Sequence, residues 1–172
     1  LSNEVVNNGG NGISLSRCSG TLINDNNITN NTGNGVDLFN NGVMGNNKIT
    51  DNLINENDDG IFLGQLVEDT LIVGNTIIDN VNGVYLSQIS TTNNTVNNNT
   101  MCFNIGDDIT DLDNNTGDNN TCDTGNWNDF ADEGCTELCT EVSIIKVVNN
   151  TAPFPLRNVT WTINVTNLGL RP

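Results

Sequence analysis

Histidine is absent from this 172-residue chain, aromatics make up only 5% of it, and 5 bases stand against 21 acids. Each shortage excludes something. Without an imidazole, the Cys-x3-Cys pair Cys135 and Cys139 lacks the partner that usually completes a mixed zinc site. With few aromatics and 35% hydrophobic residues in all, an ordinary globular core is hard to fill. The composition suits a fold in which a few apolar residues per repeat stack in register. A formal net charge of −16 repels nucleic acid and anionic membrane surfaces, and it suits cation binding or a solvated cell surface. No apolar run reaches about 18 residues, so no membrane span is expected. Nothing has the pattern of a signal peptide, and Leu1 in place of Met reads as a mature or trimmed chain. Five cysteines in a chain this short read as extracellular and oxidised, with the odd one left free or paired between chains.

What is present is a repeat. The phrase Gly-aliphatic-x-aliphatic occurs as Gly12-Ile13-Ser14-Leu15, Gly35-Val36-Asp37-Leu38, Gly60-Ile61-Phe62-Leu63 and Gly83-Val84-Tyr85-Leu86, with a degenerate copy at Gly106-Asp107-Asp108-Ile109. The glycines are 23 residues apart, with one spacing of 25, a period of the solenoid class. Other columns share the frame: Ile23, Ile49, Ile72 and Val96, then Val5, Ile28, Ile54, Ile77 and Met101. Three residues after each lies an asparagine: Asn26, Asn52, Asn75 and Asn99 after the first column, Asn8, Asn31, Asn57, Asn80 and Asn104 after the second.

The apolar phrases are short, β-branched and alternate at period two, and no segment sustains a helical stripe over three turns. Each repeat is therefore two or three short strands joined by Asn/Gly turns. Equivalent residues of successive coils would lie about 4.8 Å apart. One coil cannot bury its apolar face alone, whereas stacked coils can. The Asn columns are expected to supply the left-handed conformation of the turns and to bond amide to amide between coils. Asp37, outward between two core positions, has no partner legible in the sequence.

The pattern N-x-I-x-x-N-x-I-x-x-N-x-x-G-I-x-L, clearest in NKITDNLINENDDGIFL (47–63), resembles the right-handed parallel β-helix repeat of the NosD-like and carbohydrate-binding/sugar-hydrolase (CASH) families. The resemblance covers roughly residues 1–110. It implies an all-β fold, a right-handed parallel β-helix of about five coils. It does not select a function, because such folds serve as enzymes, phage tailspikes and adhesins.

After Ile109 the period is lost. Residues 111–141 read as a polar loop tied by disulfides among Cys102, Cys122, Cys135 and Cys139. Three pairings are open, of which Cys102–Cys122 with Cys135–Cys139 is the first expectation and leaves Cys18 over. Residues 142–172 alternate again, through Val142 and Ile144 and then Val159, Trp161, Ile163 and Val165, about a turn containing Pro153 and Pro155. NVTWTINVTNLG (158–169) is similar to the opening of the immunoglobulin-like repeat of archaeal and bacterial surface proteins, and the Asn/Cys-rich coil end before it resembles large surface proteins of methanogenic archaea. Only about two strands of such a partial β-sandwich are present, where a sandwich needs about seven. Either the chain is a piece of a longer protein, or these strands pair with another subunit by strand addition.

Candidate chemistry is of three kinds. N-glycosylation sequons occur at Asn27, Asn30, Asn93, Asn98, Asn114, Asn119, Asn149, Asn158 and Asn164. Asn27, Asn30 and Asn98 each precede an inward column and should point outward, as a glycan requires. The enzyme reading looks to carboxylate pairs. Gly106-Asp107-Asp108 resembles the Gly-Asp-Asp of polygalacturonases and Asp58-Asp59 is a second pair, but that family's histidine and Arg-x-Lys are missing, and Arg17 and Lys48 are the only bases in the helix for lyase chemistry. Calcium is the one cofactor with a candidate loop: Asp111, Asp113 and Asn115 place oxygens at alternate positions, although Thr116 stands where an EF-hand has its glycine. The expectation is a non-catalytic, extracellular structural protein of the cell surface or envelope: an adhesin, sheath or filament subunit. It would self-associate or bind other surface proteins or glycans. The rival is a carbohydrate-active enzyme or carbohydrate-binding module.

Overall fold

Each Gly-aliphatic-x-aliphatic phrase is the middle strand of a three-strand coil. In the computed structural model, residues 2–39, 45–87, 91–113, 115–122, 125–126, 135–137, 139, 142–148 and 160–167 are described. The first coil is β1 (Asn3–Val6), β2 (Ile13–Ser16) and β3 (Leu22–Asn24); the second is β4 (Asn26–Thr29), β5 (Val36–Phe39) and β6 (Lys48–Thr50). The third is β7 (Leu53–Asn55), β8 (Asp59–Leu63) and β9 (Leu71–Val73); the fourth is β10 (Thr76–Ile78), β11 (Asn82–Leu86) and β12 (Thr95–Asn97). The fifth is β13 (Thr100–Cys102), β14 (Ile109–Asp111) and β15 (Thr116–Asp118), followed by β16 (Asn120–Thr121), β17 (Gly125–Asn126) and β18 (Cys135–Glu137). Equivalent strands pair in parallel into three sheets of seven, six and five strands, an all-β parallel solenoid of about five coils.

The solenoid therefore runs past residue 110, and the expected boundary there is corrected. Strands β15 to β18 extend all three sheets through the segment that reads as a polar loop. A separate unit, Cys139–Pro172, holds β19 (Val142–Val148) and β20 (Trp161–Asn167) in an antiparallel pair. Lys146 Nζ lies 4.2 Å from the centre of the Trp161 ring, a cation–π contact.

The core is a stack of aliphatic columns. Val36, Ile61, Val84 and Ile109 form one, Leu38, Leu63 and Leu86 a second, Ile49, Ile72 and Val96 a third, and Ile28, Ile54, Ile77 and Met101 a fourth; all are fully buried. At roughly 1.5–3 kcal/mol for each buried aliphatic side chain, four per coil offset much of the cost of ordering it. Gly60 faces this core because only glycine fits there: a Cβ would stand 2.4 Å from Ile77 Cγ2 and 2.7 Å from the Gly83 carbonyl.

Both Asn columns form buried ladders. Asn52, Asn75, Asn99 and Asn120 continue from Asn26, and Asn31, Asn57, Asn80 and Asn104 from Asn8. A third row, Thr21, Asn47, Thr70, Asn94 and Asn115, stands at the remaining corner. The left-handed residue of each corner is not the ladder asparagine, as expected, but the one before it: Asp25, Asn30, Asn46, Asp51, Glu56, Asp69, Asp79, Asn93, Asn98 and Asn119 all have φ between 54° and 58° except Asp69 at 49°. The ladder residue turns inward because its neighbour takes the turn, and Asn and Asp dominate that neighbour's position because they tolerate it.

Candidate functional site

The outer face of the middle sheet carries aromatic and carboxylate side chains that neither core nor ladder uses. Register places Ser14, Asp37, Phe62, Tyr85 and Thr110 in one outward column. The Phe62 and Tyr85 rings stack with centroids 5.8 Å apart and planes 14° from parallel. Phe39, exposed at the end of β5, borders them across Gly64, where a Cβ would meet Phe62 Cε1 at 3.1 Å and Phe39 Cδ2 at 3.4 Å. The glycine lets both rings lie against the sheet.

The carboxylates beside these rings are tied down by amides. Asp37 Oδ2 accepts from Asn11 Nδ2 at 2.6 Å and from Ser14 Oγ at 3.2 Å, so Asp37 has the partners that the sequence alone does not reveal. Asp59 Oδ1 accepts from Asn82 Nδ2 at 2.8 Å. Burial pushes the Asp37 carboxyl above its ordinary value, against the pull of Ser14, Asn11 and Asn34. Burial does the same to Asp59, opposed by Asn82 and reinforced by the charges of Asp58 and Asp37. The face thus pairs an aromatic platform with half-buried acceptors and amide donors, the ingredients of a polar-ligand surface.

The other expected sites fall elsewhere. Asp108 is buried and accepts from Asn104 Nδ2 at 2.8 Å, ending one ladder, while Asp107 accepts from Thr110 Oγ1 at 3.1 Å; the Gly-Asp-Asp phrase is a turn and a ladder end. In the loop read as a calcium candidate, Asp111 and Asn115 are held by neighbouring donors. Asp111 accepts from Asp113 N at 3.2 Å, Asn115 N at 3.4 Å and Asn115 Nδ2 at 2.6 Å, and Asn115 Oδ1 takes both the N–H and the side-chain amide of Asn94 at 2.9 Å. The oxygens of Asp111 and Asn115 thus face N–H donors in this structure, and burial raises the Asp111 carboxyl. Among the described residues, no group of three or more His, Cys, Asp or Glu is placed to hold a metal ion.

Cys122 is joined to Cys135 across a Cα–Cα distance of 5.3 Å, Cys102 and Cys139 are also disulfide-bonded, and Cys18 is free. The expected pairing Cys102–Cys122 with Cys135–Cys139 is thus overturned. The reason is register: β16 and β18 are neighbours in one sheet with Asn120 opposite Cys135, which brings Cys122 and Cys135 together. Of the sequon asparagines, Asn30, Asn93, Asn98, Asn119 and Asn164 are exposed, Asn27 is partly buried, and Asn114, Asn149 and Asn158 lie outside the described residues.

Three parallel sheets wound about one apolar core, with asparagine ladders at the corners, define a parallel β-solenoid. A family model described as a right handed beta helix region matches residues 1–152, and the chain belongs to that family. No curated protein and no solved structure matches it.

Proposed function

We propose that this chain is a non-catalytic structural protein of the cell surface or envelope, an adhesin, sheath or filament subunit whose solenoid serves as a stiff rod. The observation that carries the reading is the stack of core columns and asparagine ladders running from coil to coil, reinforced at the C-terminal end by disulfides that suit an oxidising exterior. The acidity of the chain fits a solvated outer surface. The likeness of its coil end to methanogen surface proteins favours an archaeal envelope. Trp161, Ile163 and Val165 on β20 are exposed, as strands that pair with another subunit would be before assembly. Electron microscopy of the native material tests this: ordered fibres or sheets support it, and monomers alone count against a filament. A chain cut after Glu141 that assembles like the full chain would exclude strand donation.

The second reading, a carbohydrate-binding or carbohydrate-active β-helix, is favoured by the stacked Phe62 and Tyr85 beside Asp37 and Asp59. A sugar ring can lay its C–H face on an aromatic ring and give its hydroxyls to carboxylates and amides. Binding to neutral polysaccharides that is lost in Tyr85→Ala, with the melting temperature nearly unchanged, would support it. No retention on any polysaccharide would remove it.

A further inference from the structure

Four of the sequons share a design that the sequence alone does not reveal. In Asn30-Asn31-Thr32, Asn93-Asn94-Thr95, Asn98-Asn99-Thr100 and Asn119-Asn120-Thr121, the first residue is the exposed left-handed corner, with φ of 56°, 58°, 54° and 57°. The second is a buried ladder asparagine. The threonine then opens the next stretch of coil. The ladder asparagine cannot be spared, since both its N–H and its side-chain amide are used, as in Asn99 to Asn120 at 2.9 and 3.0 Å. The corner asparagine carries no such duty. Its amide meets only exposed partners: Asn30 Nδ2 donates to Asn7 Oδ1 at 2.7 Å, Asn119 Nδ2 to Asn98 Oδ1 at 2.5 Å, and Asn93 Nδ2 to Asp69. Water replaces such bonds at small cost.

We propose that the corner asparagines Asn30, Asn93, Asn98 and Asn119 are the N-glycan attachment sites of the solenoid, so that the glycans leave it at its corners, those of Asn98 and Asn119 from neighbouring coils of the same corner. This rests on the envelope reading, because it requires export past a glycosyl-transfer system. In the transfer, a bond forms between Asn Nδ2 and C1 of the sugar. The bond from C1 to the phosphate of a polyprenyl-phosphate-linked oligosaccharide breaks, its electron pair leaves with the phosphate, and one amide proton passes to a base of the transferase. Transfer precedes closure of the coil, because the folded corner holds the middle asparagine in the ladder; the folded corner then tolerates the product. Asn27 differs. It lies partly buried on β4, and its Oδ1 accepts from its own sequon's Thr29 at 2.7 Å. A glycan there would spread over the sheet face.

Glycopeptide mass spectrometry of the native protein tests the assignment. Sugar mass increments are expected on peptides carrying Asn30, Asn93, Asn98 and Asn119, above the occupancy of Asn27. Replacing Thr32, Thr95, Thr100 or Thr121 by alanine should abolish the increment at its own site. Labelling of intact cells with a membrane-impermeant reagent, run in parallel, separates the two readings. Unmodified corner asparagines in a chain that labels at the surface overturn this inference and leave the envelope reading standing. A chain that is neither labelled nor modified overturns both. Occupancy confined to Asn27 overturns the corner rule.

Discussion

Asn75 offers one side-chain oxygen to two donors of Asn52, the backbone N–H at 3.0 Å and the side-chain amide at 2.9 Å. Its own amide donates to the Ile49 carbonyl at 2.8 Å and to Asn99 Oδ1 at 3.0 Å. One residue therefore satisfies groups from three consecutive coils, all beyond the reach of water.

Asn75→Ala should be among the costliest polar substitutions in the chain. It leaves the Asn52 donors and the Ile49 carbonyl short of a partner, and each orphaned buried group costs about 1–3 kcal/mol, so a loss of roughly 2–5 kcal/mol is expected. Asn3→Ala, at the exposed start of the same row, should fall within about 0.5 kcal/mol of wild type. Urea unfolding gives both values. Similar midpoints for the two variants would sink the ladder account.

Gly60→Ala adds a single methyl group in a space where Ile77 Cγ2 and the Gly83 carbonyl leave no room. The backbone at Gly60 is not left-handed, so the penalty is one of overpacking, about 1–3 kcal/mol. Gly10→Ala, with nothing within 4 Å of the new Cβ, should be nearly silent. Thermal melting of the pair separates steric from conformational roles for glycine in this solenoid.

Asp37, Asp59 and Asp111 are all held above the ordinary carboxylate value, in each case chiefly by burial. The folded chain then keeps protons that the unfolded chain releases. Their stabilising contribution is fully present below the ordinary value of about 3.9 and is lost as pH rises through the folded values. Stability should therefore increase as pH falls through the folded values toward about 3.9, a trend that relief of charge repulsion at −16 reinforces. Asp37→Asn with Asp59→Asn keeps an oxygen for Asn11, Ser14 and Asn82 while removing the buried charges. The double variant should melt higher at neutral pH and show a flatter dependence. A wild-type midpoint that drops as pH is lowered from neutral toward about 4, unchanged in slope by the substitutions, would contradict this.

How far the sequence discloses this molecule depends on which residues carry each feature. The core columns and two ladders are legible because Ile, Leu, Val and Asn recur at constant spacing. The third ladder is not, because Thr21 and Thr70 stand in it among the asparagines, and its last step, Asn94 to Asn115, spans 21 residues, as does Asn99 to Asn120, where earlier steps span 23 to 26. The last coil escapes notice for a related reason: Gly117 replaces an aliphatic opposite Val96 and Gly125 stands opposite Ile109, so the alternation that marks a strand vanishes while the backbone pairing persists. The aromatic platform was within reach. Phe62 and Tyr85 hold the same outward place in consecutive repeats, and register alone stacks them.

The Cys122–Cys135 bond joins strands that little apolar burial supports, since β16 is two residues long and its pairing with β18 shifts register. Its effect should therefore be both sizeable and local. Closing a loop between cysteines 13 apart in sequence is worth about 3 kcal/mol in the chain-entropy view. Replacing both by alanine should lower the stability of the terminal coil by that order. Amide hydrogen exchange in β16 and β18 should then quicken, while β7 and β10, whose Ile54 and Ile77 are wholly buried, keep their protection. Cys18→Ser, which touches no disulfide, should leave the exchange of β16 and β18 as it is in wild type. Loss of protection spread evenly over all coils would mean that the solenoid unfolds as one unit and that the bond acts on the whole rod rather than on its end.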